Sequence, residues 1–477
     1  MSGSKPFYVA GEWRQGDGSF EVTSPFDGSV VTEIAHPTDA DVERAVAAAA
    51  EAFGETQHLP THVRATALAH VSKRIAERAE EIATSIAREG GKPLKWSRIE
   101  TQRAASTFRI AAEEVRRFGG EFMRLDTEAS LGARVGIVRR FPFGPVLGIA
   151  PFNFPVNLVA HKVAPALAVG APIVVKPATK TPLGALALAE LIAETDLPGP
   201  MYSVLPVPSA KAEELVKDRR FRKVSFTGSS GVGWHLKGIA DPRTRFTLEL
   251  GGNAGVIVHS DADLDHAAER VAMGGNYQAG QSCIAVQRML VQAEVYDDFV
   301  QRLVKGIEGL KVGDPLDESV DVGPLIDEGA IDKVTEFVDE AVSQGAEVLT
   351  GGKRQDPFYL PTALARTRPD MKVRCEEIFG PVVTVDPYET FEDALRIVND
   401  SPYGLQAGVF TNDINRAMLA HRELVVGGVI VNDVSAFRAD QMPYGGSKDS
   451  GFGREGLRSA MEEMTEPRIM VLSNLPL

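Results

Sequence analysis

Cysteine is nearly missing from this chain, at two in 477 residues. So few exclude a disulfide framework at this length and point to a reducing compartment, the cytosol. Positive charge is also short. Fifty-one Lys and Arg stand against 65 Asp and Glu, a formal net charge of −14. That excludes the broad basic footprint of a nucleic-acid or anionic-membrane binder, though not a local basic pocket for a small anion. No apolar run approaches the span of a bilayer, and the opening MSGSKPFYVAGEW lacks the charged, apolar, small-residue succession of a signal peptide. Aromatics make up only 7%, yet 44% of the residues are hydrophobic and mean hydropathy is near zero, the balance of a soluble globular protein. A chain of this length exceeds what one core organises, so two or three domains are expected.

A usable dinucleotide fingerprint is missing too. GFGREG at 451–456 has the spacing G-x-G-x-x-G, but only 21 residues follow Gly456. That is too few for a crossover helix and a returning strand with an acidic residue, and the preceding DQMPYGGSKDS is turn-rich rather than a buried strand. The three glycines must serve another purpose.

What is there begins with helices. Residues 38–120 are rich in Ala and Glu at helical spacing. DADVERAVAAAAEAF opens on Asp residues, and RATALAHVSKRIAERAEEIATSIAREGGKP reads as one helix stopped by Gly-Gly-Lys-Pro. The pattern then changes. GPVLGIAPF, PIVVKPA, MYSVLPV, KVSFTGS and RFTLELGG are short apolar runs bounded by Gly or Pro, with helix-like stretches between them. This alternation predicts a parallel sheet covered on both faces. It resumes after Gly252, so a boundary is expected near ELGGN. LGARVGIVRRFPF (131–143) and EPRIMVLSNL read as strands outside either core.

Five stretches carry side chains suited to chemistry. KVSFTGSSGVG (223–233) is a strand, a Gly- and Ser-rich turn and a helix start. Such a turn either cradles a pyrophosphate on free N–H groups or is merely tight. Lys176 closes the apolar strand of PIVVKPA, at the edge where open parallel sheets bind ligands, or simply reaches solvent. Asn153 in APFNFP either aims its amide at a developing oxyanion or is a turn residue. Glu249 in LELGGN points to solvent or is held desolvated as a base. Cys283 follows the small and polar Gly280, Gln281 and Ser282, a turn that would expose its thiol at a helix start with a lowered pKa. Cys375 in VRCEEIFG reads as a buried filler.

Taken together these stretches resemble the aldehyde dehydrogenase superfamily. PFNFP, VVKPA, FTGSSGVG, LELGGN, GQSC, EEIFGPV and PYGGSKDSGFGREG occur in the family's order, and the resemblance covers essentially the whole chain. It implies an α/β fold: a Rossmann-like cofactor domain (1–122 and 144–250), an α/β catalytic domain (251–449), and a β-arm for oligomerisation with the C-terminal segment (123–143 and 450–477). In the family the stretch matching GFGREG lies with the catalytic domain, and Glu455 near the water and proton route.

The resemblance also implies roles. Cys283 is the nucleophile, Asn153 and the Cys283 N–H hold the oxyanion, and Glu249 activates the hydrolytic water. Pro151, Phe152, Lys176, Thr179, Lys180, Gly228, Ser229, Gly233, Glu377 and Phe379 fall at cofactor positions. Within that set, Lys176 and Glu377 would take ribose hydroxyls, and Ser229 the pyrophosphate. His161, Ser282, Ile284, Arg438 and Tyr444 fall along the substrate tunnel. No metal is expected.

Two departures from the family pattern inform. Thr179 stands where members that prefer NAD often carry a glutamate, and Lys180 adds positive charge if it turns inward, so NADP is favoured over NAD. Arg438 stands where members taking apolar aldehydes often carry an aromatic. It would fork onto a carboxylate, phosphate or sulfonate, or else pair with Asp440 or Glu423 at the surface. Phe152, in place of the family's usual tryptophan, decides little. The expected activity is oxidation of a small hydroxy- or acid-tailed aldehyde to the free acid, in a cytoplasmic homodimer or homotetramer, closest to the lactaldehyde and succinate-semialdehyde branch. A CoA-acylating enzyme would usually lack Glu249, and a silent structural relative would have lost the cysteine or the cofactor residues.

Overall fold

Two sheets, each parallel except for one edge strand, organise the chain. The computed structural model describes residues 3–473; residues 1–2 and 474–477, the outer ends of the expected domain segments, lie outside the described residues. The first sheet runs, in spatial order, Gly451–Phe452, Arg245–Glu249, Lys223–Thr227, Val146–Ile149, Ile173–Lys176 and Tyr202–Val204. All its neighbours are parallel except the Gly451–Phe452 edge, which pairs antiparallel with Leu248 and Glu249. GFGREG is therefore a sheet edge and a helix start. A Cβ at Gly451 would strike the Leu248 carbonyl, and Gly456, at φ +90°, precedes the helix Leu457–Glu463.

The second sheet has seven strands, centred on Val286–Gln292 and Ala254–Val258. Alternate residues there feed two separate cores, as a sheet buried on both faces requires. Val256, Met289 and Val291 pack toward Phe299 and Leu303, whereas Ile257, Leu290 and Val409 pack toward Phe391 and Leu395. A third sheet joins Thr465–Ser473, Arg134–Pro142 and Glu121–Arg124, all antiparallel. Its outer strand is exposed at every position. Among the described residues no helix is long and apolar enough to cross a membrane.

The helical region corrects one reading. The stretch expected as a single helix is two, Thr61–Glu77 and Ala79–Gly90, because Arg78 leaves helical geometry at φ −103° and ψ 20°. Ala, Glu and Arg all favour helix, so nothing local signals the break. At the break the Arg78 guanidinium lies 2.8 Å from Glu190 and also pairs with Glu81. The helix Asn157–Val169 is apolar nearly all round and buried at every position, packed against Leu94–Glu114 and Leu457–Glu463. Pro165 within it has no N–H to give the His161 carbonyl.

Candidate active site

The nucleophile candidate lies on a turn that the chain alone would not adopt. Gln278 and Ala279 hold φ of 52° and 53°, and Gly280 follows at 67°. Left-handed geometry costs a non-glycine residue roughly 1–2 kcal/mol, so surrounding contacts must impose it. The Gln278 amide donates to the Asn153 carbonyl. Asn153 Nδ2 returns a bond to the Gln281 carbonyl at 3.0 Å, and Gln281 Oε1 accepts the Ile326 N–H at 3.0 Å. A Cβ at Gly280 would collide with the Gly380 carbonyl. The turn is thus clamped from three directions, and PFNFP is one of the clamps.

Cys283 is not at a helix start. It sits in the turn before the strand Val286–Gln292, so no helix dipole lowers its pKa. Burial instead pushes the thiol up to about 12, against the Tyr444 hydroxyl 3.2 Å away and the nearby Arg438 charge, which both pull it down. Cys283 is half-buried, and its pKa moves in the direction opposite to the lowering expected, so this cysteine needs a base.

Glu249 ends its strand beside that turn. The next residues explain the glycine pair: a Cβ at Gly252 would lie 2.5 Å from the Cys283 carbonyl, and one at Gly251 would strike the Glu377 carboxylate. Both Glu249 carboxyl oxygens are buried without a partner. Desolvation first, and the negative Glu455 second, push its pKa well above the ordinary value. Glu455 is equally buried but has Lys162 Nζ at 3.0 Å on one oxygen and an Arg438 nitrogen at 3.1 Å on the other. Those cations overcome its own desolvation and hold it ionised. Two carboxyls in one pocket are driven apart in proton affinity, the pattern by which acid and base roles are divided.

Arg438 corrects another reading. It pairs with neither Asp440 nor Glu423 at the surface. Its side chain is 6% exposed, it stacks 3.7 Å from the Tyr444 ring, and its Nε has no partner. Asp440 instead accepts from His161 Nε2 at 3.0 Å and Arg103 at 2.8 Å. Burial, then the Arg438 charge, lower His161 to about 4, leaving it neutral. Ser282 accepts a hydrogen bond from the Tyr277 hydroxyl at 2.8 Å. Ile284 joins Leu405 and Tyr444 in a small apolar cluster flanking Cys283.

The cofactor positions converge on the carboxyl edge of the first sheet. Lys176 is buried, and its Nζ donates only to the Pro177 carbonyl at 3.0 Å, leaving N–H groups for another acceptor; burial lowers its pKa to about 8. Glu377 accepts the Gly252 N–H at 2.9 Å, with burial raising its pKa to about 7. Phe379 holds φ +56° and meets the Phe152 ring edge-on at 6.0 Å, next to Pro151. Ser229 occupies the N-cap of the helix Ser230–Ile239 without spending its hydroxyl on the cap. Gly228 lies against the Phe226 ring, and a Cβ at Gly233 would strike Leu250, so both glycines let the helix close on the sheet. These unspent donors at a strand–turn–helix suit the ribose and pyrophosphate of a dinucleotide. Thr179 is half-buried beyond Lys176. Lys180 does not turn inward: it is half-exposed and paired with Asp327.

Sequence reasoning missed Lys162 and Arg103, and named Asp440 only as a surface partner of Arg438. Lys162 left a signal, a lysine in a helix otherwise apolar on all sides; it also reaches Thr227 at 2.7 Å and Ser225 at 3.2 Å. Arg103 left none, since nothing local marks its pairing with Asp440.

The chain also matches known proteins. Residues 13–470 fit the aldehyde dehydrogenase family. The chain is 44% identical over 467 residues to the 3-sulfolactaldehyde dehydrogenase of Priestia aryabhattai, covering 98% of this chain and 97% of that one. Its structure matches that of aldehyde dehydrogenase 21 from Physcomitrella patens, solved in complex with the reaction product succinate. The TM-score is 0.97 at 41% identity, over 100% of this chain and 99% of the other. It also matches glyceraldehyde-3-phosphate dehydrogenase GapN from Methanocaldococcus jannaschii, complexed with NADP. There the TM-score is 0.91 at 36% identity, over 96% and 100% of the chains.

Proposed function

Because the chain belongs to the aldehyde dehydrogenase family, we propose that Cys283 is the nucleophile with which it oxidises a small aldehyde to the free acid, using NAD(P)+. One observation carries this reading: a clamped thiol shares its pocket with Glu249, a buried carboxyl that has no partner of its own. An unpartnered carboxyl of raised pKa is suited to exchange protons near neutrality.

Once ionised, Glu249 takes the thiol proton as Sγ bonds to the aldehyde carbon. The oxygen that becomes negative is met by the Cys283 backbone N–H and by the Asn153 Nδ2 proton not already given to Gln281. When bound, the nicotinamide supplies the acceptor for the hydride lost from the substrate carbon. Cys283 then carries an acyl group as a thioester. Once it has released the thiol's proton, Glu249 removes a proton from water, the water oxygen bonds to the acyl carbon, and the Cys283–acyl bond breaks, leaving the sulfur as a thiolate. Glu455, fixed by Lys162 and Arg438, sets how readily Glu249 gives up its proton. Lys176 and Glu377 would hold ribose hydroxyls, Ser229 and the turn N–H groups the pyrophosphate, and Phe379 with Phe152 the nicotinamide end.

NADP is favoured over NAD on the same reading, because position 179 carries threonine and no carboxylate stands there to repel a 2′-phosphate. The substrate is assigned an anionic or hydroxylated tail near Arg438, whose Nε is buried and unpaired. The sulfonated and dicarboxylic compounds named with its relatives are of this kind. We assign residues 1–122 and 144–250 to the cofactor domain, 251–449 to the catalytic domain, and 123–143 with 450–477 to the arm and C-terminal segment. The exposed strand Glu121–Arg124 suits pairing with another copy, in a cytosolic homo-oligomer.

The test is a panel of succinic semialdehyde, lactaldehyde, glyceraldehyde 3-phosphate and hexanal with each cofactor, followed by reduced-cofactor absorbance and product analysis. Turnover to free acid, faster for tailed substrates and with NADP, is expected. No turnover, or an acyl product formed only when CoA is added, overturns the reading.

A further inference from the structure

Two buried helices begin without caps of their own. Asn157–Val169 follows the strand Val146–Ile149 and the loop that carries Asn153. Leu183–Ala193 follows the strand Ile173–Lys176 and the loop that carries Thr179. Their N-cap residues, Val156 and Pro182, make no side-chain cap, and neither first turn holds an acidic residue. Val156, Asn157, Leu183 and Gly184 are all buried, so the N–H groups that a helix start leaves unpaired are shut away from water. A buried N–H without a partner is costly, and something else must accept from these.

The acceptors come from one helical hairpin far away in the chain, Ala79–Gly90 and Leu94–Glu114. Glu100 Oε1 accepts the Val156 N–H at 2.9 Å and the Asn157 N–H at 3.1 Å, and its other oxygen accepts from Lys92 Nζ. Glu89 Oε2 accepts the Leu183 N–H at 3.1 Å, while its Oε1 has no partner. Burial raises the Glu89 pKa well above the ordinary value, so it serves as a neutral acceptor. Lys92 stands 3.8 Å from the centre of the Phe154 ring, one residue past Asn153. All three ionisable side chains are buried. Such groups seldom lie so deep unless paired. Here the backbone entry into two helices completes the pairing.

We propose that Glu100 and Glu89 are positioning residues, each setting one ligand loop: Glu100 the oxyanion donor Asn153, Glu89 the cofactor loop that carries Thr179. This rests on the dehydrogenase reading above and deepens it. The nucleophile turn grips Asn153 from one side, through Gln278 and Gln281. Glu100 fixes the chain three residues later, and Lys92 backs the Phe154 ring between them. An oxyanion donor must be held to within about 0.5 Å, and a misplacement of about 1 Å can cost roughly 100-fold in rate. Glu89 acts in the same way four residues past Thr179, at the start of the next helix. Thr181 Oγ1 meets the Phe152 carbonyl at 3.4 Å, the limit of a hydrogen bond, so the two loops are joined weakly and respond separately.

The experiment compares wild type with two double variants, Lys92→Met with Glu100→Leu and Lys92→Met with Glu100→Gln, and with Glu89→Leu and Glu89→Gln. Exchanging a whole buried ion pair for uncharged residues is often neutral for stability, whereas removing one partner strands the other. Within each pair of variants, glutamine keeps an oxygen for the helix N–H groups and leucine does not. Thermal melting checks the fold, kcat is read on the best aldehyde of the panel at saturating cofactor, and fluorescence titration gives the Kd for NADP. The Glu100→Leu double variant should have a kcat about tenfold or more below its glutamine counterpart, with Kd within about twofold. Glu89→Leu should bind NADP about fivefold or more weakly than Glu89→Gln, with kcat within about threefold. Both glutamine forms should stay within about threefold of wild type in both quantities, which also keeps the test alive if a leucine form does not fold. Equal values for leucine and glutamine forms, parallel loss of kcat and Kd in both leucine forms, or a tenfold loss in a glutamine form overturns the inference alone. A wild type that oxidises no aldehyde overturns the dehydrogenase reading and the inference with it.

Discussion

Lys162 holds its ammonium 3.0 Å from Oε1 of Glu455, beneath the strand that ends in Glu249. The pair is buried on both sides, and Lys162 also donates to Thr227 and Ser225. Glu455 therefore has a depressed pKa in the folded chain. Its contribution to stability is present above the ordinary glutamate pKa and is lost as pH falls through the folded value. Lys162→Met should cost about 3–5 kcal/mol at neutral pH by stranding Glu455. Urea unfolding at pH 7 reads the loss, which should shrink toward pH 3. An equal deficit at both pH values would mean that lost packing, not charge, explains it.

Glu249 has the opposite sign. Its folded pKa is raised, so the stability it brings is complete below the unfolded value and fades as pH rises through the folded one. Glu249→Gln keeps the shape of the neutral acid but cannot ionise. Its melting temperature should match wild type near pH 5 and exceed it increasingly toward pH 9. The same variant should stall as the thioester, because an amide cannot take a proton from water. The signature is a burst of about one reduced cofactor per site without steady turnover. Steady rates like those of wild type would assign the base elsewhere.

Cys283→Ala should abolish oxidation while leaving NADP affinity, read by fluorescence titration, within about twofold, since its sulfur is the covalent handle on the substrate. Cys375→Ser should change neither. Cys375 is half-buried in a short helix, with its thiol 4.0 Å from the Asp370 carbonyl. Loss of activity in both variants would point to cooperation between the two thiols.

Cofactor preference should respond to position 179. Thr179→Glu puts a carboxylate where a 2′-phosphate would lie, a repulsion of about 1 kcal/mol even in water, and should shift the NADP/NAD ratio of kcat/KM at least fivefold toward NAD. Asp327→Asn should act in the other direction by freeing Lys180. A wild type that already favours NAD several-fold would contradict the assignment.

Much of this was legible in the chain. Alternating apolar runs and helices predicted the parallel sheets, and the strand-ending positions of Lys176 and Glu249 are as read. The rejection of GFGREG as a dinucleotide turn rested on its context, and the glycines prove to serve an edge strand. What failed was environment. A turn of small residues suggested an exposed thiol, but whether a turn is open depends on what lies over it, here Tyr444, from a segment 161 residues away. For Arg438 the alternative to a substrate anion was a local partner, Asp440 or Glu423, yet the carboxylate it pairs with is Glu455, brought back by the bridge between Tyr444 and Glu455. The break at Arg78 escaped because all its neighbours favour helix.

The clamped turn at Gln278–Gly280 bears on how the protein withstands oxidants. An unfolded cysteine has an ordinary thiol, while here folding raises the thiol pKa to about 12 and shrinks the thiolate fraction at neutral pH. Peroxide and alkylating agents attack the thiolate, so a raised thiol pKa slows both reactions at Cys283. Damage is then confined to moments when substrate has called the thiolate out, or to chains that have lost the clamp. Iodoacetamide should accordingly label Cys283 faster in the unfolded chain than in the native one, an inversion of the usual sense in which folding arms an active-site cysteine.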